Sequence, residues 1–129
     1  MIAYDLDNTL ANTDYSKVFG KASMVGMLEK ATVRYKPTGD FIIITARGED
    51  AEIQRVTRTW VKENLPNCKG VYFVTGSGAP AVERKIAVMK QHGATEFADG
   101  KVSVLAEFKK QNPQLVLWHV TSTGKVKYN

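Results

Sequence analysis

Asp5 and Asp7 stand either side of one leucine in Tyr4-Asp-Leu-Asp-Asn-Thr9, where a short apolar run gives way to polar residues. Like charges this close repel, and each makes the other harder to ionise. Such a pair suits chemistry in which one carboxylate attacks as an ion while its neighbour gives or takes a proton. Further along, Thr45 closes the run Phe41-Ile-Ile-Ile, Thr75 closes Val71-Tyr-Phe-Val, and Asp99 follows Phe97-Ala. Carboxylates and hydroxyls at the ends of apolar runs are groups suited to handling a phosphate and a hard divalent cation.

For these groups to meet, the runs that carry them must be neighbouring strands. Residues 2–5, 41–45, 71–75, 95–98 and 115–120 read as strands. The run 41–45 shows no polar alternation, as in a strand buried on both faces of a parallel sheet. Helical spacing falls between them, over 16–31, 50–65, 81–92 and 102–110, with Pro66, Gly93 and Pro113 as stops. Residues 125–128, after Ser122-Thr-Gly124, read as a small terminal hairpin or tail. Strands alternating with helices predict an α/β three-layer sandwich, a Rossmann-like parallel sheet of about five strands. Ligands of such folds bind at the carboxyl ends of the strands, where the winding reverses.

The 129 residues, 43% of them hydrophobic, are enough for one core and too few for two, so residues 1–129 read as a single domain. Lys and Arg number 18 against 13 Asp and Glu, a net charge of +5 that favours anionic partners, with phosphate compounds and nucleic acids first. No apolar run reaches the roughly 18 residues of a membrane span, and no basic region precedes the first apolar stretch. One cysteine, Cys68, allows no internal disulfide and suits a reducing compartment. A cytoplasmic, non-membrane protein is the expectation, and the oligomeric state is open. His92 and His119 lack paired ligands at zinc spacing, Gly76-Ser-Gly-Ala79 lacks the Gly-Lys-(Ser/Thr) of a P-loop, and Trp60 and Trp118 fall in apolar patterns typical of a core.

Taken together, these stretches make the chain resemble the haloacid dehalogenase superfamily of phosphotransferases over essentially its whole length. Asp5-Leu-Asp7-Asn-Thr9-Leu matches that family's Asp-x-Asp-x-(Thr/Val) signature after a first strand, and Phe41-Ile-Ile-Ile-Thr45-Ala-Arg47 resembles its second motif. Lys85, near the start of a helix, resembles the third, and Phe97-Ala-Asp99 the fourth. The resemblance implies a HAD-like phosphatase, a phosphoric monoester hydrolase. Asp5 would be the nucleophile that forms an aspartyl-phosphate, and Asp7 the acid that protonates the leaving group and then activates water. It further implies Mg²⁺, held by the Asp5 side chain, the Asp7 backbone carbonyl and Asp99, with Thr45 bonding the phosphoryl group and Lys85 offsetting its charge. Arg84 and Lys90 are alternatives to Lys85. Thr9 is a candidate for substrate contact or for steadying the nucleophile. Family dehalogenases lack the second acid, so Asp7 points to phosphate rather than to carbon–halogen bonds.

The pattern is incomplete at one place: Gly100, Lys101, Val102 and Ser103 follow Asp99, where many members carry a second acid. No room for a cap domain lies between Asp7 and Thr45 or between Thr75 and Lys85, and uncapped relatives tend to act on large substrates. The basic charge then favours a nucleotide or polynucleotide terminal phosphate over a phosphoprotein. Thr45-Ala-Arg47-Gly-Glu49 is loosely similar to a Ser-Gly-Arg-Glu stretch of polynucleotide kinase 3′-phosphatase domains, which makes Arg47 a candidate for gripping substrate phosphate; an ion pair with Glu49 or Asp50 is its structural alternative. Asp99 equally suits a helix N-cap. The competing function is a basic module that binds nucleic acid or protein around a residual, weakly active core.

Overall fold

The computed structural model describes residues 1–129. Eight strands are formed: β1 (Ile2–Tyr4), β2 (Ala11–Asn12), β3 (Thr32–Val33), β4 (Phe41–Thr45), β5 (Cys68–Phe73), β6 (Glu96–Asp99), β7 (Val116–Thr121) and β8 (Gly124–Tyr128). Four helices accompany them: α1 (Lys21–Lys30), α2 (Ala51–Asn64), α3 (Gly78–Gln91) and α4 (Val102–Gln111). Every residue of β4 is buried, as an apolar run with no face for water requires. It therefore lies inside a six-stranded sheet of order β5-β4-β1-β6-β7-β8. All neighbours are parallel except β8, which returns antiparallel along β7.

Side chains alternate across the sheet and divide into two cores. Ala3, Ile42, Ile44, Phe97 and Leu117 pack with Val82, Ile86 and Met89 of α3 and Leu105 and Phe108 of α4. Tyr4, Phe41, Ile43, Ala98 and Val120 lie on the other side with Trp60 and Val61 of α2. Helix α1 sits outside α2, joined to it through Leu28, Ile53 and Val56. The Trp60 indole N–H donates to the Ala31 carbonyl at 2.8 Å and fixes the end of α1. These layers make an α/β arrangement compatible with a Rossmann-like sandwich. No helix is long and apolar enough to cross a membrane.

Three expectations change. Six strands replace about five, because 125–128 pairs fully with β7. The helix expected over 16–31 begins only at Lys21: Gly20, at φ 116°, breaks the chain direction, and a separate 3₁₀ turn spans Tyr15–Lys17 under an Asp14 cap. Lys85 sits in the middle of α3, since that helix starts at Gly78 rather than near 81. The small antiparallel ribbon β2-β3 is too short for any alternation to announce it.

The position of β1 matters most for function. From β1 the chain goes to β4 and β5 on one side, then crosses back to β6 and β7 on the other. The winding reverses there, and the crevice at the carboxyl end of β1 is where such folds take ligands.

Phe97 lies 4.0 Å from Phe108, centroid to centroid, and is fully buried at the middle of one core. Phe97→Ala is expected to cost about 3–5 kcal/mol in urea denaturation; a loss below about 1 kcal/mol would show that this core does not hold the sheet to α4.

Candidate active site

Beyond β1 the chain folds into a tight loop anchored by two fully buried leucines, Leu6 and Leu10. The N–H groups of Thr9, Leu10 and Ala11 converge on the Leu6 carbonyl, and Asn8 takes the left-handed conformation at φ 57°, which Asn tolerates better than most residues. Asp5 continues the ladder by donating its N–H to the Ala98 carbonyl at 3.0 Å. Tyr4 pairs with Ala98, so Asp5 and Asp99 follow side by side on adjacent strands, a spacing of about 5 Å between backbones. Both continue the alternation of Ala3 and Phe97 towards α3.

From α3 comes the charge that this pair needs. The buried Lys85 places Nζ 2.9 Å from Asp5 Oδ1. Burial alone pulls the Lys85 ammonium towards deprotonation, but the charges of Asp5 and then Asp99 outweigh it and raise its pKa. Arg84 instead donates to the Thr75 carbonyl, and Lys90 lies exposed, so of the three candidate cations only Lys85 meets the carboxylates. Thr9 completes the clamp. Its hydroxyl donates to Asp5 Oδ2 at 3.0 Å and accepts from the Gly100 N–H at 2.8 Å. Gly100 is required there, because a Cβ would stand 2.3 Å from the Asn8 carbonyl oxygen.

Asp99 is buried, and Oδ1 accepts from the Lys101 N–H at 2.8 Å. Burial, and then the charge of Asp5, pushes its pKa up to about 8. It is not the N-cap of α4, a place taken by Lys101. Two carboxylates side by side at the floor of a cleft, with one lysine between them and the core, are suited to sharing a further cation. No cluster of three or more His, Cys, Asp or Glu side chains is arranged around a metal position. The donors on offer are thus the Asp5 and Asp99 side chains with a nearby backbone carbonyl. Such a sparse set of hard oxygens fits Mg²⁺, which keeps several waters and shares the oxygens of a phosphate.

Asp7 faces a different set of partners. Its carboxylate accepts from the hydroxyls of Thr13 and Tyr15, each at 3.1 Å, and from Arg47 through Nε (3.2 Å to Oδ2) and Nη2 (2.7 Å to Oδ1). Burial, and then the charge of Asp7, raises the Tyr15 pKa, so that phenol stays a donor. The remaining Arg47 nitrogen, Nη1, donates to Thr57 Oγ1 at 2.8 Å. Arg47 was expected to grip substrate phosphate or to pair with Glu49 or Asp50; instead it is buried and its fork is spent on Asp7 and Thr57. Asp50 caps α2 and pairs with Lys21. Thr45 ends β4 beside the cleft. Its hydroxyl is buried with no partner, and the cleft is lined by the following residue, Ala46.

The resulting cleft, about 860 Å³, is lined by Asp5, Asp7, Lys85 and Asp99 together with Arg34 and Lys101. Arg34, Thr13 and Tyr15 were not singled out from the sequence. They belong to the β2-β3 ribbon and its insertion, and nothing in a Thr-Val-Arg-Tyr stretch marks one arginine as facing a cleft. No known family profile matches this chain, and no curated protein or solved structure matches it either.

Arg47→Met leaves Asp7 without its main partner, and because Asp7 keeps some water the expected loss is about 2–4 kcal/mol, at or below the range for breaking a buried pair. Equilibrium denaturation measures it, and a neutral result would mean that the pair contributes nothing net. A cation bound between Asp5 and Asp99 stabilises the fold, by about 2.7 kcal/mol at a hundredfold excess over its Kd. Mg²⁺ should therefore raise the melting temperature of the native chain and leave that of Asp99→Asn nearly unchanged; equal shifts in both would move the metal elsewhere.

Proposed function

We propose that this protein is a Mg²⁺-dependent phosphomonoester hydrolase of the haloacid dehalogenase type, working through an aspartyl-phosphate on Asp5. The observation that carries the reading is the clamp on Asp5. Its two oxygens are held by Lys85 and Thr9, residues far apart in sequence, beside a buried second carboxylate and at the winding reversal of the sheet. A structural aspartate has no need of so costly an environment.

In this reading Asp5 attacks phosphorus, and the bond to the leaving oxygen breaks as Asp7 delivers a proton to it. Asp7 then takes a proton from water, which attacks the phosphoryl group on Asp5 and frees the carboxylate. Lys85 balances negative charge on Asp5 and on the phosphoryl oxygens. Thr9 fixes the rotation of the Asp5 carboxylate, while Arg47, Thr13 and Tyr15 hold Asp7 in place. When bound, Mg²⁺ keeps Asp5 ionised and draws charge from the phosphoryl oxygens; the Asp5 and Asp99 side chains and the Asp7 carbonyl would hold it. The partnerless Thr45 hydroxyl is consistent with a donor reserved for an incoming oxygen, as the motif implies.

The substrate half of the proposal is a nucleotide or polynucleotide terminal phosphate. Supporting it are the net charge of +5 and the packing of α1, the helix between β2 and β3, against α2. One observation favours the rival reading of a basic binding module with a residual core, possessing weak metal affinity: no further acid joins Asp5 and Asp99.

Turnover of p-nitrophenyl phosphate and of a 3′-phosphorylated oligonucleotide, with Mg²⁺ and with chelator, separates the two. The enzyme reading expects metal-dependent release of phosphate, abolished in Asp5→Asn and reduced about 10²–10⁴-fold in Asp7→Asn. Salt-sensitive oligonucleotide binding without any turnover would favour the module.

A further inference from the structure

Two of the three aspartates at the reacting end of the cleft are ion-paired within the protein. Asp5 is matched by Lys85 and Asp7 by Arg47. Asp99 makes no ion pair and, on the phosphatase reading, would share a divalent cation with Asp5; that cation and Lys85 would answer the charge of a transferred phosphoryl group. Two cations that line the cleft are left over, Arg34 and Lys101, and neither makes an ion pair.

Arg34 is the better defined of the two. Its Nη1 donates to the carbonyls of Thr9 and Val120, each at 3.3 Å, so the guanidinium is fixed by neutral groups that leave its charge uncompensated. Nε and Nη2 remain for a planar, two-point contact with an anion, the arrangement that makes arginine suited to phosphate. Thr9 ties this arginine to the reacting end. Its carbonyl accepts from Arg34, its hydroxyl donates to Asp5, and the same hydroxyl accepts from Gly100, next to Lys101. At the far wall stands Glu107, bonded to Gln111, which discourages an anion on that side. The volume of about 860 Å³ also falls within the range of about 300–1,000 Å³ that takes ligands much larger than one phosphoryl group.

We infer that Arg34 binds a second phosphate carried by the same molecule as the reacting phosphomonoester, making it a specificity-determining residue that the family motifs do not include. The inference rests on the phosphatase reading for the identity of the first phosphate. Two sources share this chemistry: the neighbouring diester of a polynucleotide, and a small bisphosphate. A lone phosphomonoester on an uncharged group leaves Arg34 unused.

The test measures binding calorimetrically in Asp5→Asn with Mg²⁺ at low salt, using phenyl phosphate, a nucleoside 3′,5′-bisphosphate and a 3′-phosphorylated oligonucleotide. One or both of the two-phosphate ligands should bind at least tenfold tighter than phenyl phosphate. Adding Arg34→Gln should erase that advantage while changing phenyl phosphate by less than twofold, and Arg34→Lys should restore part of it. An advantage confined to the oligonucleotide identifies the diester as the source, and one confined to the bisphosphate identifies the small molecule. The inference is overturned if all three ligands weaken equally, which marks Arg34 as a clamp between the ribbon and β7, if the advantage survives Arg34→Gln, or if no ligand binds. Phosphate release by the unaltered chain is scored separately. Arg34-dependent binding without release would remove the phosphatase reading and leave the second-anion site standing.

Discussion

The parallel pairing of β1 with β6 runs Asp5 and Asp99 into the same small volume, and everything around them answers the repulsion that results. The approach of the two strands leaves little room between them, and a Cβ on Gly100 would run into the Asn8 carbonyl. Lys85 stays charged despite its burial only because two carboxylates face it. Neither partner is stable in that place without the other. Removing the lysine leaves unpaired buried acids, and removing the acids leaves a cation whose charge has no counterpart. Such mutual dependence is characteristic of sites retained for chemistry, where ionised groups are poised in a restricted space.

The two aspartates of the opening pair are thus held by different means. Asp5 is held by a lysine from α3 and a threonine four residues on, with its strand neighbour Asp99 beside it. Asp7 points to the other set, receiving hydrogen bonds from the insertion after β2 and from the arginine after β4. The two carboxylates, though with only one residue between them, are fixed by separate parts of the fold. The insertion carrying Tyr15 and the ribbon carrying Arg34 are attached to the same loop, so the contacts to Asp7 and the Arg34 side of the cleft share one piece of chain.

Much of this was legible from residue types. The central strands declared themselves because runs buried on both faces show no polar alternation, and Asp5, Asp7 and Asp99 stood out as acids at strand ends. Long helices with a clear apolar stripe, such as α2, were placed within a residue or two. What escaped depended on long-range contact. A two-residue ribbon has no period to detect, and Gly20 interrupts a spacing that otherwise reads as one helix. The partner of Arg47 was misjudged because Glu49 and Asp50 are near in sequence while Asp7 is near in space. Thr45 ends its strand as expected, yet its hydroxyl is enclosed while Ala46 faces the cleft. Lys85 shows the converse: it was the candidate cation with Arg84 and Lys90 as alternatives, and the helical phase, which turns Lys85 inward and leaves the other two exposed, separates them.

A covalent phosphoryl group on Asp5 is the central chemical claim, and mass spectrometry of the acid-quenched reaction tests it most directly. With Mg²⁺ and a phosphomonoester that is turned over, the peptide containing Asp5 should gain the mass of one phosphoryl group, and hydroxylamine should remove it. Turnover with that peptide unmodified, or with the adduct on any other residue, would contradict the account.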